Sequence, residues 1–217
     1  VEAGVPYYIL GNGSNVLVSD AGYEGVVIQL FRNMDGIRVN GTELEAEAGA
    51  LLVRIAHLAA KEGLTGLEFA SGIPGTLGGA LGMNAGAYGG EMKDGVTEAV
   101  VLKPDGELLR LSKEELELGY RTSIIARKGY LVVSALLELK AGEKGTIEAR
   151  MQELKEARTS KQPLEYASAG STFKRPEGYF AGKLIMDAGL RGYAVGGAQV
   201  SEKHCGFVIN RGGATAQ

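Results

Sequence analysis

The chain has 217 residues, of which 45% are hydrophobic and 23% charged, so it can bury one large core or two smaller ones. No apolar run approaches the ~20 residues that a membrane-spanning helix needs, and the single cysteine, Cys205, excludes an internal disulfide bond. We therefore expect a two-domain enzyme in the reducing cytoplasm, with no membrane partner.

Charge is unevenly distributed along the chain. Residues 1–157 hold 15 Lys and Arg against 22 Asp and Glu, whereas residues 158–217 hold 8 against 4. The C-terminal part therefore predicts an anionic partner, although a solvated basic face explains the excess equally well. No nucleic-acid partner is expected, because the whole chain has a net charge of −3 and no aromatic set accompanies the lysines.

Strands and helices alternate along the first half of the chain. The apolar pattern predicts a strand at 7–10, a buried strand at 26–30, a hairpin of 37–39 and 42–47, and a helix at 51–62. The pair Asn40-Gly41 predicts a type I′ turn in that hairpin. Gly63 is in the right position to end the helix.

The second half continues with a hairpin around Pro104-Asp105-Gly106 and a short helix capped by Ser112 and Glu115. Further predicted elements are strands at 99–102 and 108–111, a long central strand at 130–139, a helix at 147–158, a polar linker at 159–166, a helix near 183–188, and strands near 194–195 and 207–209. The predicted domains are 1–142, with subdomains of about 1–35 and 36–142, then a helix and linker at 143–164, and a second domain at 165–217.

The segment from Ser71 to Gly90 is the most informative, because its twenty residues contain eight glycines and no charge. Glycine makes up about 7% of an average chain, and such a density costs folding entropy unless something must approach the main chain closely. Backbone N–H groups in such loops, or at a helix start that follows them, bind anions such as pyrophosphate without lysine. The segment therefore predicts a nucleotide cofactor site.

A second glycine loop, from Gly11 to Asn15, follows the first strand, but it has neither a dinucleotide fingerprint nor the lysine of a P-loop. Paired with the segment from Ser71 to Gly90, it would hold the other side of one diphosphate. The alternative is a pair of purely structural turns. Asn84 lies among small residues, where its amide would either bond a cofactor ring or close a turn.

Five segments are informative as a set: GNGSN (11–15), SGIPGTLGGALGMNAGAYGGE (71–91), GYRTSI (119–124), AGSTFKRP (169–176) and AGLRGYAVGGAQVSEKHCGFVIN (188–210). In this order they resemble the UDP-N-acetylenolpyruvoylglucosamine reductase family, and the resemblance runs from end to end. It implies an α+β chain. An FAD-binding fold of the vanillyl-alcohol-oxidase (PCMH) type would be followed by a smaller α+β C-terminal substrate-binding domain.

The resemblance also implies FAD as cofactor, NADPH as hydride donor and UDP-N-acetylglucosamine enolpyruvate as substrate. The product would be UDP-N-acetylmuramate, in peptidoglycan precursor synthesis, with hydride added at C3 of the enolpyruvyl group and a proton at C2. The implied FAD contacts lie in the two glycine loops and just after them: Gly11, Asn12, Gly13, Ser14, Asn15, Ser71, Gly72, Ile73, Pro74, Gly75, Thr76, Gly78, Gly79, Ala80, Asn84, Gly86 and Ala87.

Two catalytic residues follow from the resemblance. Arg121 matches the arginine that binds the substrate carboxylate and stabilises the developing enolate, a task that suits a planar guanidinium. Ser171 matches the proton donor to C2, and its neighbours must make this weak acid competent. Lys174 is the nearest candidate neighbour in the sequence. Without the resemblance, Arg121 would cap a turn and Ser171 would be a turn residue or a helix cap.

The implied substrate contacts each have a structural alternative, such as core packing for the tyrosine, a solvated surface for the cations, and a satisfied structural histidine. They are Tyr120, Lys161, Lys174, Arg175, Arg191 and His204. His57 and Cys205 are expected to be structural. No metal site is expected.

The family has a catalytic glutamate near its C-terminus, and this sequence stops at Gln217 before that region. We therefore expect truncation at both ends, with little FAD binding and slow or no turnover by such a fragment. No insertion precedes Ala169, which favours the subgroup that lacks a substrate-covering tyrosine loop. The alternative functions are another FAD-dependent oxidase of the same fold, or a catalytically incomplete nucleotide-sugar-binding fragment. A monomer is expected.

Overall fold

The computed structural model describes residues 4–217. Its strands are β1 (Tyr7–Leu10), β2 (Val26–Gln29), β3 (Ile37–Asn40), β4 (Glu43–Glu47), β5 (Leu64–Thr65), β6 (Gly86–Ala87), β7 (Gly90–Glu91), β8 (Val96–Leu102), β9 (Leu108–Ser112), β10 (Leu131–Glu138), β11 (Lys140–Ala141), β12 (Ala194–Val195), β13 (Ala198–Val200) and β14 (Val208–Asn210). Its helices are α1 (Leu52–Lys61), α2 (Leu77–Gly82), α3 (Ile124–Lys128), α4 (Lys144–Lys161) and α5 (Ala181–Asp187), with 3₁₀ turns at Glu68–Gly72 and Met92–Asp94.

The chain divides into two compact units. The first contains the residues up to Gly13 together with Gly25–Lys155, and the second contains Ser14–Glu24 together with Glu156–Gln217. The domain boundaries expected from the sequence, 1–142 and 165–217, stay a prediction. No helix among residues 4–217 is long and apolar enough to cross a membrane.

An antiparallel sheet with the strand order β3-β4-β10-β8-β9 forms the centre of the first unit. β10 lies between β4 and β8, as the sequence predicts for the long strand at 130–139. Leu44, Val96 and Leu137 on these strands are fully buried, and they pack in one core with residues of α1 and α2. The sheet therefore supports the glycine-rich segment that contains α2.

The predicted helix at 51–62 is confirmed as α1. Its apolar positions recur at helical spacing, so Leu52, Ile55 and Ala59 turn one face into the core. Gly63 follows in a left-handed conformation (φ 70°), where only glycine is unstrained, and it ends the helix. The predicted helix at 147–158 is also confirmed, but α4 is longer and includes Thr159, which the sequence predicts to lie in the linker.

Two predictions about local structure are wrong. The β3–β4 hairpin has Gly41 and Thr42 as its loop, because Asn40 pairs with Glu43. Gly41 alone is left-handed there (φ 62°), so the turn is of type II′, which needs glycine first, and not type I′. Ser112 and Glu115 do form the reciprocal hydrogen bonds of a capping box, but the residues after them form turns and no helix.

The predicted burial of the strand at 26–30 is also wrong. β1 and β2 form a parallel pair, and within residues 4–217 neither pairs with another strand. Every residue of β2 is exposed, and the exposure of Val26 and Ile28 is 51% and 44%. The apolar pattern of this strand therefore reflects a cavity wall and not the core.

The second unit contains the antiparallel sheet β12-β13-β14 and helix α5. β13 was absent from the sequence prediction, whereas β12 is confirmed and β14 is shifted by one residue. Cys205, Phe207 and Ile209 are buried, and Cys205 is a free thiol, as expected for a structural cysteine.

Candidate active site

The first unit contains a cavity of about 1000 Å³. Its walls come from the β1–β2 pair, the start of the glycine-rich segment, the β8–β9 loop and the α3–β10 connection. The lining contains tyrosine and aliphatic side chains together with the main chain of several glycines. Residues that characterise the lining are Tyr7, Ile28, Gly11, Thr76, Gly78, Gly79, Gly82, Lys103 and Tyr130.

The structure brings the two glycine loops together. The amide Nδ2 of Asn12 donates a hydrogen bond to the carbonyl of Pro74 at 2.7 Å. Gly11 lies so close to Thr76 that a Cβ on Gly11 would collide with the Thr76 hydroxyl. Glycine at this position is thus required for the close approach of the loops, and both line the same cavity.

The glycine-rich segment contains a short helix, α2, that the sequence pattern does not predict. Its first two amides, of Leu77 and Gly78, donate to the carbonyls of Ala50 and Ala48 at 2.8 and 2.9 Å. A Cβ on Gly78 would lie 3.1 Å from that of Ala48, so glycine lets the helix approach the sheet. These two N–H groups are therefore used by the fold and do not bind a phosphate.

Glycine also leaves the main chain of α2 bare toward the cavity. A Cβ on Gly79 would meet only the Thr76 hydroxyl, at 3.8 Å, and a Cβ on Gly82 would meet nothing within 4 Å. Both glycines line the cavity. A flat ring or a diphosphate can therefore approach the backbone at these points, which is the surface that a dinucleotide cofactor requires.

Other residues predicted to contact the cofactor lie away from this lining. Ser71 donates from its hydroxyl to the Glu68 carbonyl at 2.7 Å, and Gly86 and Ala87 form β6. Ser14 and Asn15 belong to the second unit. The cofactor contacts of these residues stay predictions, as do those of Asn12, Gly13, Gly72, Ile73, Pro74, Gly75 and Ala80.

Arg121 occupies an unusual backbone conformation at the tip of a tight turn. Gly119 and Thr122 exchange backbone hydrogen bonds of 3.1 and 3.3 Å, which leaves Tyr120 and Arg121 as the two loop residues. Arg121 is left-handed (φ 55°), a region that costs free energy for a residue with a long side chain. Tyr120 is exposed, so the predicted alternative of core packing is wrong for it.

Glu91 lies close to this turn and has a perturbed carboxyl. The hydrogen bond from Lys93, whose Nζ is 2.8 Å away, is the main reason that the pKa of Glu91 lies below its usual 4.5, although partial burial opposes this and Asn84 adds to it. Because folding lowers this pKa, the carboxylate stabilises the fold above pH 4.5, and that contribution disappears as the pH falls through the folded pKa.

We expect Glu91→Gln to reduce the acid sensitivity of the fold. Between about pH 3 and pH 7, the free energy of unfolding of the variant should vary less than that of the parent, by under about 1 kcal/mol because the ion pair is partly exposed. Urea midpoints across this range measure the effect. The exposed Glu114→Gln serves as control, and an equal flattening in both variants would contradict the assignment to Glu91.

Ser171 lies beside His204 in the second unit. Ser171 forms an isolated bridge with Phe207. A Cβ on Gly206 would be 3.2 Å from the Ser171 hydroxyl oxygen and 3.1 Å from His204 Nδ1, so the hydroxyl and the ring both lie close to this one position. The Gly206 amide donates to His204 Nδ1 at 3.1 Å, and the ring packs edge-on against Phe207. Gly206 was not singled out from the sequence.

The remaining predicted substrate residues lie on different elements of the second unit. Arg175 stacks its guanidinium over the Phe180 ring at 4.0 Å and donates to the Tyr179 carbonyl at 3.2 Å. Lys161 is in the last turn of α4, and Lys174 and Arg191 are in exposed loops. Among residues 4–217, no cluster of three or more His, Cys, Asp or Glu side chains could hold a metal ion.

Comparisons with known proteins agree with this geometry. Residues 1–112 match the family model "FAD binding domain", and residues 162–217 match "UDP-N-acetylenolpyruvoylglucosamine reductase, C-terminal domain". The UDP-N-acetylenolpyruvoylglucosamine reductases of Clostridium perfringens (strain SM101 / Type A) and Clostridioides difficile (strain 630) are each 56% identical over 216 residues, which cover 100% of this chain and 71% of theirs.

A solved structure also matches, the UDP-N-acetylenolpyruvylglucosamine reductase (MurB) of Thermus caldophilus. It has a TM-score of 0.84 and 40% sequence identity, and the match covers 98% of this chain and 77% of that one. Fold and cavity thus define an FAD-binding oxidoreductase with the FAD-binding fold expected from the sequence, and the glycine-lined cavity fits FAD. The chain belongs to the UDP-N-acetylenolpyruvoylglucosamine reductase family.

We expect Gly79→Ala to separate cofactor affinity from folding. An alanine there makes only ordinary contacts inside the protein, so stability without FAD should rise by about 0.5–1 kcal/mol from better helix propensity. The added methyl enters the cavity, and FAD affinity should fall about tenfold. Thermal unfolding without FAD and flavin fluorescence titration measure the two effects. Unchanged FAD affinity would show that the cofactor does not touch Gly79.

Proposed function

We propose that this chain reduces UDP-N-acetylenolpyruvoylglucosamine to UDP-N-acetylmuramate, with FAD as cofactor and NADPH as hydride donor. The observation that carries the proposal is the 56% identity to the Clostridium perfringens reductase over the whole chain. The reaction belongs to peptidoglycan precursor synthesis. Bound in the glycine-lined cavity, FAD would supply the hydride transfer from NADPH to C3 of the enolpyruvyl group.

The cavity of the first unit binds FAD in this proposal. Gly11, Gly78, Gly79 and Thr76 offer backbone and a hydroxyl at its wall, and Tyr7 and Ile28 offer apolar surface for a ring system. The Asn12–Pro74 hydrogen bond joins the two glycine loops directly. The protein thus supplies binding and orientation for the cofactor.

Arg121 binds the carboxylate of the enolpyruvyl group. Addition of hydride at C3 leaves negative charge at C2, which spreads onto that carboxylate. A guanidinium forms two parallel hydrogen bonds to a carboxylate and keeps its proton, so it stabilises this charge throughout the reaction. The turn between Gly119 and Thr122 holds Arg121 in one backbone conformation, which limits the reorganisation needed during turnover.

Ser171 donates the proton to C2. Ser171 is exposed, and its hydroxyl and the His204 ring both lie close to the position that a Cβ on Gly206 would take. His204 Nδ1 accepts a hydrogen bond from the Gly206 amide, which orients the ring. In this proposal Lys174, the nearest candidate in the sequence, and the neighbouring His204 ring are the groups that make the hydroxyl a competent acid, and the exposed hydroxyl regains its proton from solvent.

The basic residues of the second unit bind the diphosphate of the substrate. Residues 158–217 have four more basic than acidic side chains, and Lys161, Lys174, Arg175 and Arg191 supply the cations. Tyr120 contributes an exposed ring in the first unit for substrate contact. A cytoplasmic monomer with an FAD-binding domain at 1–142 and a substrate-binding domain at 165–217 completes the proposal.

Anaerobic spectroscopy tests this function. The purified protein with FAD should lose visible flavin absorbance when NADPH is added, and the absorbance should return when UDP-N-acetylglucosamine enolpyruvate follows. Return of the absorbance on admitting oxygen with an alcohol as the reductant, and none with the enol ether, would instead indicate an oxidase of the same fold. Substrate binding without any flavin uptake would indicate a nucleotide-sugar-binding protein and contradict the proposal.

A further inference from the structure

Asn84 is a buried polar residue whose amide is completely engaged. It is 2% exposed, and its Nδ2 donates to the Glu91 carboxylate at 2.9 Å and to the Gly119 carbonyl at 3.2 Å. Its Oδ1 accepts from the Lys93 amide at 2.9 Å. One side chain thus joins the glycine-rich segment to the first residue of the turn that carries Arg121.

A second anchor lies on the other side of the same turn. Ser123 is fully buried, donates from its hydroxyl to the Gly82 carbonyl at 2.7 Å, and accepts from the Ala126 amide at 3.2 Å as the N-cap of α3. Gly82 ends α2. The turn is therefore anchored at both ends to the segment that lines the cavity. Asn84 binds Gly119 before the turn, and Ser123, which follows Thr122, binds Gly82.

The turn needs such anchors because its conformation is not intrinsically favoured. Arg121 is left-handed (φ 55°), and a free loop would relax out of this region. Its own hydrogen bonds between Gly119 and Thr122 are only two. Hydrogen bonds from buried side chains add the restraint that keeps the strained form populated.

We propose that Asn84 is a positioning residue for Arg121, with Ser123 as its partner, and that the two link the cofactor cavity to the carboxylate-binding arginine. The proposal rests on the proposed function. Only a side-chain amide can replace Asn84 in this role, because this short side chain donates two hydrogen bonds and accepts one. A carboxylate cannot donate to Gly119, and it would face the carboxylate of Glu91.

The half-reactions separate this role from cofactor binding. In the FAD-loaded protein, Asn84→Asp and Asn84→Ala should slow flavin reoxidation by the enolpyruvyl substrate at least about tenfold, since a displaced catalytic group costs up to about a hundredfold. Flavin reduction by NADPH does not use the arginine and should stay within about twofold. Ser123→Ala should show the same pattern. The exposed Asn40→Asp is the matched control.

A double-variant cycle tests whether Asn84 acts through Arg121. In an Arg121→Ala background, adding Asn84→Ala should slow reoxidation by less than about twofold, because the group being positioned has already been removed. A further loss as large as in the parent would overturn the proposal. Equal slowing of both half-reactions, or loss of bound FAD, would overturn it as well, because the residue would then serve the cofactor site.

Hydrogen exchange gives a readout that needs no activity. The Thr122 amide donates to the Gly119 carbonyl, so its exchange should accelerate in Asn84→Ala and remain unchanged in Asn40→Asp. Unchanged exchange at Thr122 would overturn the anchoring role. If the parent protein reduces no substrate while exchange at Thr122 responds to Asn84, the proposed function fails and the anchor stands.

Discussion

Replacing Arg121 by glycine is expected to slow substrate reduction by about 10²–10³-fold while the protein becomes no less stable. The loss of rate follows from removing the group that stabilises negative charge on the substrate carboxylate. Removal of one preorganised donor to a developing anion has an effect of this size. Stopped-flow reoxidation of the reduced protein by the enolpyruvyl substrate measures it.

Stability should increase in this variant although the rate falls, because the backbone at position 121 is strained. Arg121 is left-handed (φ 55°), and such a conformation costs of order 1–3 kcal/mol for a residue with a side chain. Glycine removes that strain but loses about 0.5–1 kcal/mol through the entropy of the unfolded chain. The free energy of unfolding should therefore rise by about 1 kcal/mol, as measured by urea denaturation.

Arg121→Lys is the matched control for the glycine variant. Lysine keeps a positive charge and the backbone strain, but it lacks the planar fork that binds both carboxylate oxygens. It should retain more of the rate than glycine does, with unchanged stability. A glycine variant that turns over within about twofold of the parent would refute the catalytic role of Arg121. A glycine variant less stable than the parent would refute the strain argument.

Replacing Ser171 by alanine is expected to slow reoxidation of the reduced protein by the enolpyruvyl substrate by about 10²–10⁴-fold, the usual contribution of a positioned general acid. Flavin reduction by NADPH needs no proton at C2 of the substrate and should be unaffected. Because the Ser171 side chain is exposed, its removal should leave thermal unfolding unchanged. Rapid mixing of each half-reaction separates these expectations.

The neighbours of Ser171 provide two comparisons. Thr172→Val removes the adjacent exposed hydroxyl and should leave reoxidation unchanged. Gly206→Ala introduces a methyl group that would lie 3.2 Å from the Ser171 hydroxyl oxygen and 3.1 Å from His204 Nδ1, and should slow reoxidation by displacing both. Full activity of Ser171→Ala would exclude this serine as the proton donor, and full activity of Gly206→Ala would exclude a role for the distance between Ser171 and His204.

Local patterns predicted those elements whose residues face the protein core. The spacing of Leu52, Ile55 and Ala59 predicted α1, and the apolar run in β10 predicted a central strand, because both bury their faces against other parts of the chain. β2 has an equally apolar sequence but lines a cavity. An apolar pattern indicates that the side chains of a strand are to be covered, but it does not show whether the protein core or a ligand covers them.

The sequence does not predict helix α2, for a related reason. Three of its six residues are glycines, so intrinsic propensity disfavours a helix there. Tertiary contacts outweigh this, because Gly78 allows close approach to Ala48 and the amides of Leu77 and Gly78 bond to carbonyls of the preceding segment. None of these partners is adjacent in sequence, so local reasoning could not include them.

The candidate site was predictable in its parts but not in its arrangement. Glycine density identified both loops, and the structure joins them through Asn12 and Pro74, which are 62 residues apart. The anchor from Ser123 to Gly82 spans 41 residues, and Ser123 carries no sign of this role in the sequence. Gly206 is equally unmarked, because its importance comes from two side chains that lie close to it, those of Ser171 and His204.

The open wall formed by β1 and β2 has a consequence for the resistance of the protein to proteolysis. Tyr7, Val26 and Ile28 are 46%, 51% and 44% exposed and line the cavity, so a cofactor that fills it covers apolar surface. A ligand at a hundred times its dissociation constant stabilises the folded state by about 2.7 kcal/mol. We therefore expect the FAD-loaded protein to resist proteolysis longer than the FAD-free protein, because bound cofactor lowers the fraction of opened molecules.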